Sequence, residues 1–175
     1  MKYPRNLLFW LAAIVGLQLD RWTKDWVMAS FELGESRPIW PDVFHFTYVE
    51  NPGAAFSWFS AYGQQLRWLS LIVSLVLMLV ACFGPRMVRL DQLGLGFLFA
   101  GAFGNGIDRF AAGRVVDFLD LRIINFAVFN LADVFINVGV LCFLLSLLWP
   151  GQSPPSSASS SASPPANAGG DADPP

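Results

Sequence analysis

Asp133, in the segment F-N-L-A-D, sits about one helical turn inside an apolar run that continues to Trp149. An ionisable group in hydrocarbon costs about 2.5–3.5 kcal/mol on insertion scales, so its presence there calls for a reason. Asn130 stands three residues before it, on the same helical face, and Asn137 continues that face one turn later. Other polar residues lie in or beside apolar segments: Asp20 with Lys24, Asn51 and Gly53 in N-P-G-A-A-F-S, and Asn105, Asp108 and Arg109 in G-N-G-I-D-R. Asp117, in V-V-D-F, lies on the short connection between the last two apolar segments, within reach of Asp133. Two carboxyl groups held together in a partly dehydrated site cannot both ionise cheaply. Sharing one proton, such a pair can activate a water as base and protonate a leaving amine as acid.

Each residue also has a plainer reading. Asp20 and Lys24 form an i, i+4 pair that would serve as a structural ion pair, and Asp108–Arg109 would serve as an interfacial cap. Asp117, taken alone on a strand between valines, reads as a solvated acid; Asp91 and Asp120 read as surface acids. His45 reads as packed or exposed among aromatics, and Cys82 and Cys142, inside apolar runs, read as buried thiols. Other chemistries lack their residues. A single histidine cannot supply H-E-x-x-H, and no G-x-S-G serine setting, G-x-G-D motif, P-loop or dinucleotide fingerprint occurs. Two alternatives stand beside a protease. A proton-coupled carrier also uses intramembrane acids, though four spans without a repeat make a weak one. A structural membrane subunit would tolerate neutral substitution at both aspartates.

The elements that must carry these residues are membrane helices. The chain has 175 residues, 54% hydrophobic and 14% charged, against about 25% charged in a soluble domain. Its mean hydropathy is +0.48, and a net charge of -2 offers no field for nucleic acid. A hydrocarbon core of ~30 Å needs roughly 20 helical residues. The expected spans are residues 7–27, 66–83, 93–108 and 129–149. The first is read as a retained helix rather than a cleaved leader, because no small-residue cleavage site follows it. Gly96, Ala100 and Gly104 form a stripe that lets another helix approach closely. Lys2 and Arg5 before the first span, with Arg86 and Arg89 between the second and third, put both termini in the cytoplasm.

Between the spans, outer segments 28–65 and 109–128 carry strand-like runs, Val43 to Val49 and Arg114 to Ile124, with a turn at Asn51-Pro52-Gly53. Tyr62 to Trp68 reads as a short interfacial helix. The expected fold is therefore an all-α four-helix transmembrane bundle with a small extracytoplasmic β-sheet, occupying residues 1–150. Residues 151–175, rich in Ser, Pro and Ala, cannot bury enough surface to order themselves and are expected to form a disordered tail.

Taken together, L-D-R-W-T-K (19–24), N-P-G-A-A-F-S (51–57), G-N-G-I-D-R (104–109), G-R-V-V-D-F (113–118) and F-N-L-A-D (129–133) resemble, in order and separation, bacterial lipoprotein signal peptidase, signal peptidase II. The resemblance covers about residues 5 to 150. It implies an aspartyl endopeptidase of the bacterial inner membrane, without metal or other cofactor. Such an enzyme cleaves prolipoprotein signal peptides on the N-terminal side of a diacylglyceryl-modified cysteine, near the outer leaflet. By motif match the catalytic pair is Asp117 and Asp133. Asn51, Gly53, Asn105, Asp108, Arg109, Asn130, Asp20 and Lys24 match the supporting polar signature. Arg21 departs from it, standing where many members carry Gln. The implied partners are the lipidated precursor and membrane lipid, with the enzyme monomeric and no nucleic acid involved.

Overall fold

The computed structural model describes residues 6–53 and 63–148. Four helices carry the chain: α1 (Leu7–Ser30), α2 (Gly63–Phe83), α3 (Arg89–Ala111) and α4 (Leu131–Leu148). Three strands, β1 (Ser36–Trp40), β2 (Phe44–Asn51) and β3 (Val115–Leu121), form one antiparallel sheet in that order. A 3-10 turn, Arg122–Ile124, follows β3.

Helix α3 is central and packs against α1, α2 and α4. Its small residues make this geometry available. A Cβ on Gly96 would lie 2.5 Å from the Phe9 carbonyl of α1, and one on Gly101 would run into the Ala132 carbonyl of α4. The Gly96–Ala100–Gly104 stripe thus meets α1, at Phe9, Gly16 and Asp20 respectively. Phe9, Ala13, Leu77, Ala81 and Phe99 form one buried cluster between α1, α2 and α3. A second cluster, Val27, Phe31, Tyr48, Val116 and Phe118, glues the end of α1 to the sheet.

At the end of the bundle away from the sheet, Asn6 has a left-handed backbone with φ 58° and makes no side-chain cap to α1. Its amide instead donates to the carbonyls of Ala81 (3.2 Å) and Pro85 (3.3 Å) and accepts from Met87 N–H (3.0 Å). Gln92 likewise accepts from Leu8 N–H at 3.1 Å. These bonds tie the start of α1 to the α2–α3 turn.

Helices α2 (over Gln65–Phe83) and α4 are long and apolar enough to cross a membrane, and only 17% and 11% of their apolar stretches is buried. A core helix of a soluble protein would be mostly covered, whereas α4 turns Leu141, Leu144, Leu145 and Leu148 outward. Helices α1 and α3 carry charged residues and do not meet that criterion on composition.

Some expectations change. Gly63 to Trp68 are the first turns of α2, not a separate interfacial helix; Tyr62 lies outside the described residues, as do 54–57 of the N-P-G-A-A-F-S segment and the tail 151–175. Helix α3 begins at Arg89 and ends at Ala111, longer at both ends than the expected span. Strand β1 was not anticipated: Pro38 and the charged Arg37 in S-R-P-I-W hide it, and it survives because it is an edge strand. Cys82 is exposed on the apolar outer surface and Cys142 is half-buried, because the apolar faces of α2 and α4 point away from the bundle.

Candidate active site

Asp117 reaches the site through strand register. Val49 pairs with Asp117 and Asn51 with Val115, which makes Asn51 and Asp117 diagonal neighbours on one face of the sheet. Asn51 Nδ2 donates to Asp117 Oδ2 at 2.9 Å. Asn51 Oδ1 accepts from Gly53 N–H at 2.9 Å, shaping the turn.

Asp133 arrives by helix capping. Phe129 docks on β3, its N–H donating to Leu119 O at 3.1 Å and its carbonyl accepting from Phe118 and Leu119. The next residue, Asn130, starts α4. Its Oδ1 accepts from Asp133 N–H (3.1 Å) while Asp133 Oδ2 accepts from Asn130 N–H (3.1 Å). This reciprocal capping box satisfies two otherwise orphaned donors and fixes the Asp133 rotamer. The positive end of the helix dipole lies at the same place.

Asn130, fully buried, joins the two acids. Its Nδ2 donates to Asp117 Oδ1 at 2.6 Å and to Asn105 Oδ1 at 3.0 Å. Asn105 Nδ2 in turn donates to Asp133 Oδ1 at 2.9 Å. Every oxygen of both carboxyl groups therefore accepts a hydrogen bond. Both acids face a cavity of about 260 Å³, lined also by Asn51, Gly53, Asn105, Arg109, Asn130 and Asn137. Arg109 braces its rim, Nη1 donating to Asn105 O (3.2 Å) and Nη2 to Gly53 O (3.3 Å).

Burial pushes the Asp117 carboxyl up to about 7, the Asn51 amide holds it back, and the neighbouring Asp133 charge pushes it further. A carboxyl raised to about 7 beside a second acid is able to hold a proton near neutral pH.

Behind the cavity lies a charged cluster. Lys24, 1% exposed, sits 2.8 Å from Asp20 Oδ2, 2.6 Å from Asp108 Oδ2 and 3.0 Å from Asn105 Oδ1. Asp20 Oδ1 accepts from Ala132 N–H at 3.0 Å, so α1 caps the first turn of α4. Gly104 leaves room for this carboxylate, since a Cβ there would stand 2.6 Å from Asp20 Oδ2.

The residues expected at the site are thus brought together in two layers: Asp117, Asp133, Asn51, Gly53, Asn105, Arg109 and Asn130 around the cavity, with Asp20, Lys24 and Asp108 behind. Asn137, expected only to continue the α4 face, also lines the cavity, donating to Asp133 O at 2.8 Å. Asp117 is buried rather than solvated, because Val115, Val116 and Phe118 around it are buried too. Asp120 is likewise no surface acid: it accepts from Thr47 Oγ1 (2.7 Å) and Arg122 Nε (3.1 Å). His45, half-buried, keeps Nδ1 within 3.1 Å of Ser36 Oγ, outside the cavity. No signal in the sequence pointed to Asp20 as a cap for a helix 112 residues away.

The sequence model of the family described as "Signal peptidase (SPase) II" matches residues 12–149. The chain belongs to the signal peptidase II family. It is similar to the lipoprotein signal peptidase of Nostoc sp. (strain PCC 7120 / SAG 25.82 / UTEX 2576), with 59% identity over 153 residues, 87% of this chain and 95% of that protein. The lipoprotein signal peptidase of Gloeobacter violaceus (strain ATCC 29082 / PCC 7421) is 50% identical over 88% of this chain and 89% of its own length. Among solved structures, one described as a bacterial membrane enzyme at 2.3 Å resolution matches with a TM-score of 0.73 and 30% identity, covering 79% of this chain and 86% of that one. A second, at 1.9 Å, gives 0.70 and 31% over 79% and 90%. Membership of the signal peptidase II family makes this chain a membrane protease, a hydrolase of peptide bonds.

Proposed function

We propose that this signal peptidase II homologue is an intramembrane aspartyl endopeptidase that removes prolipoprotein signal peptides, cutting on the N-terminal side of a diacylglyceryl-modified cysteine. The observation that carries the reading is the shared cavity of Asp117 and Asp133, bridged by Asn130. All four helices span the inner membrane, with residues 1–150 as the catalytic unit and both termini cytoplasmic. The sheet and the dyad then lie at the outer leaflet, where the acyl chains of a lipidated cysteine hold the scissile bond. The enzyme acts as a monomer.

In this mechanism a water between the two carboxyl groups attacks the carbonyl that precedes the cysteine. The ionised aspartate takes the water's proton, and the protonated partner hydrogen-bonds the developing oxyanion. That proton then passes to the leaving amine. Asn51 and Arg109, at the rim, hold the substrate backbone through directional donors.

The test is incubation of purified protein with a diacylglyceryl-modified precursor. Parent protein yields the shortened product; Asp117→Asn and Asp133→Asn fold and insert but do not. Near-parental cleavage by either variant removes the dyad from the mechanism. Ion or solute flux in liposomes with no peptide product would favour a carrier instead.

A further inference from the structure

Lys24 donates to Asn105 across a helix interface, and the consequence reaches the dyad. An ammonium has three N–H donors and no acceptor. Lys24 donates to Asp20 Oδ2 on its own helix, lies in an ion pair with Asp108 Oδ2 on α3, and donates to Asn105 Oδ1, also on α3. If the lysine served only to neutralise buried acids, the first two contacts would be enough. The third falls on an amide whose opposite end touches Asp133. Because Lys24 can only donate, the Asn105 amide must present oxygen to it and NH2 to Asp133. A flipped amide would set NH2 against the ammonium and oxygen against the carboxylate, repulsive at both ends. Asn130 Nδ2 favours the same orientation, but it is neutral and shared with Asp117. The charged donor is the stronger of the two.

We infer that Lys24 is a positioning residue of the dyad: through Asn105 it locks an amide donor onto Asp133 and so holds that carboxylate in its reactive geometry. The inference rests on the dyad reading above. It makes Asp20 and Asp108 the anchors of the lysine, and Asn105 the lever between a buried charge and the reacting group.

A double-mutant cycle tests it on full-length protein with the lipidated precursor. Lys24→Met removes the buried cation between Asp20 and Asp108, so it is combined with Asp108→Asn, which keeps the net charge of the cluster. The expected result is a fall in kcat of about tenfold with KM changed by less than about threefold, since substrate does not touch Lys24. In an Asn105→Ala background the same pair of changes lowers kcat by less than about twofold, because the lever is already gone. The kcat–KM split is read on the Lys24 variant by itself, so it decides even if Asn105→Ala does not fold. Equal kcat losses in both backgrounds, an unchanged kcat, or a loss confined to KM overturns the inference. Lys24→Gln in place of Met offers a second neutral variant that keeps a donor for Asp20. If both neutral variants fail to fold while Asn105→Ala folds, the lysine is structural and the inference falls. Asp133→Asn is run alongside: activity there would sink the dyad itself, whereas a dead Asp133→Asn with an additive cycle sinks only the role of Lys24.

Discussion

A carboxyl group that titrates at about 7 in the folded protein and near its ordinary 3.8 in the unfolded chain takes up a proton on folding. Between those values the native state binds more protons at Asp117 than the unfolded state does. The contribution of this group to stability is therefore greatest below pH 4 and declines as pH climbs to about 7. Asp117→Asn removes that decline, so the difference in thermal stability between pH 5 and pH 8 in detergent should be smaller in the variant than in the parent. The same proton governs catalysis. If the dyad works with one proton, kcat/KM falls as pH rises past about 7, and a rate still climbing at pH 9 would contradict it. Both Asp→Asn changes should reduce cleavage by at least about 10²–10⁴-fold, the range expected for loss of a positioned acid or base. Asp133 also helps hold the Asp117 carboxyl up. In Asp133→Asn, infrared difference spectra should show Asp117 losing its proton at lower pH than in the parent. At this scale the sequence was half informative. Asp133 stood out because an acid inside an apolar helix is expensive. Asp117 and Asp120 looked ordinary because burial of a strand residue depends on what covers the sheet, which no local pattern records.

Helix ends and helix crossings convert those side chains into a site. The α4 N-terminus is the junction: Asn130 and Asp133 cap it from within, and Asp20 caps it from α1. The N-x-x-D spacing was readable as two residues on one face, and as a capping box only once the helix start was known. Crossing geometry depends on α3, where Gly101 lets the Ala132 backbone come close. Gly101→Ala should force α3 and α4 apart by a few tenths of an ångström or more and move Asn105 off Asp133. The expected outcome is a destabilisation of about 1–3 kcal/mol, the usual penalty of overpacking, together with loss of cleavage. Gly106→Ala is the matched control. Its Cβ would stand 3.2 Å from Ser70 Cβ, a contact a small shift relieves, so melting temperature and turnover should stay near parental. Similar losses in both would mean that helix approach at Gly101 is not what holds the dyad. The stripe on α3 was legible from spacing alone, since glycine and alanine every fourth residue have few other uses in an apolar helix. Strand β1 was not, because its pairing with β2 gives it a structure its own residues do not encode.

The four helices run 24, 21, 23 and 18 residues. At 1.5 Å per residue they are roughly 27–36 Å long, and even the shortest falls within the roughly 17–25 residues that a membrane-crossing helix uses. Helices α1 and α3 are more polar than α2 and α4, and the reason is local. At the sheet end of the bundle Lys24 pairs with Asp20 and Asp108, and Arg109 donates to the backbone carbonyls of Asn105 and Gly53. The opposite end holds the Asn6–Gln92 clasp and, just beyond α2, Arg86. This polarity predicts an orientation. With Cys82 and Cys142 replaced by Ser, Arg86→Cys should react with a membrane-impermeant maleimide only from the cytoplasmic side. Asp42→Cys, on the β1–β2 turn, should react only from outside. Labelling of Asp42→Cys from the cytoplasmic side would place the sheet and the dyad on that face, out of reach of a precursor whose lipid is held in the outer leaflet. The membrane span of the bundle and the chemistry of its acids would then be incompatible, however well the two carboxyl groups are aligned.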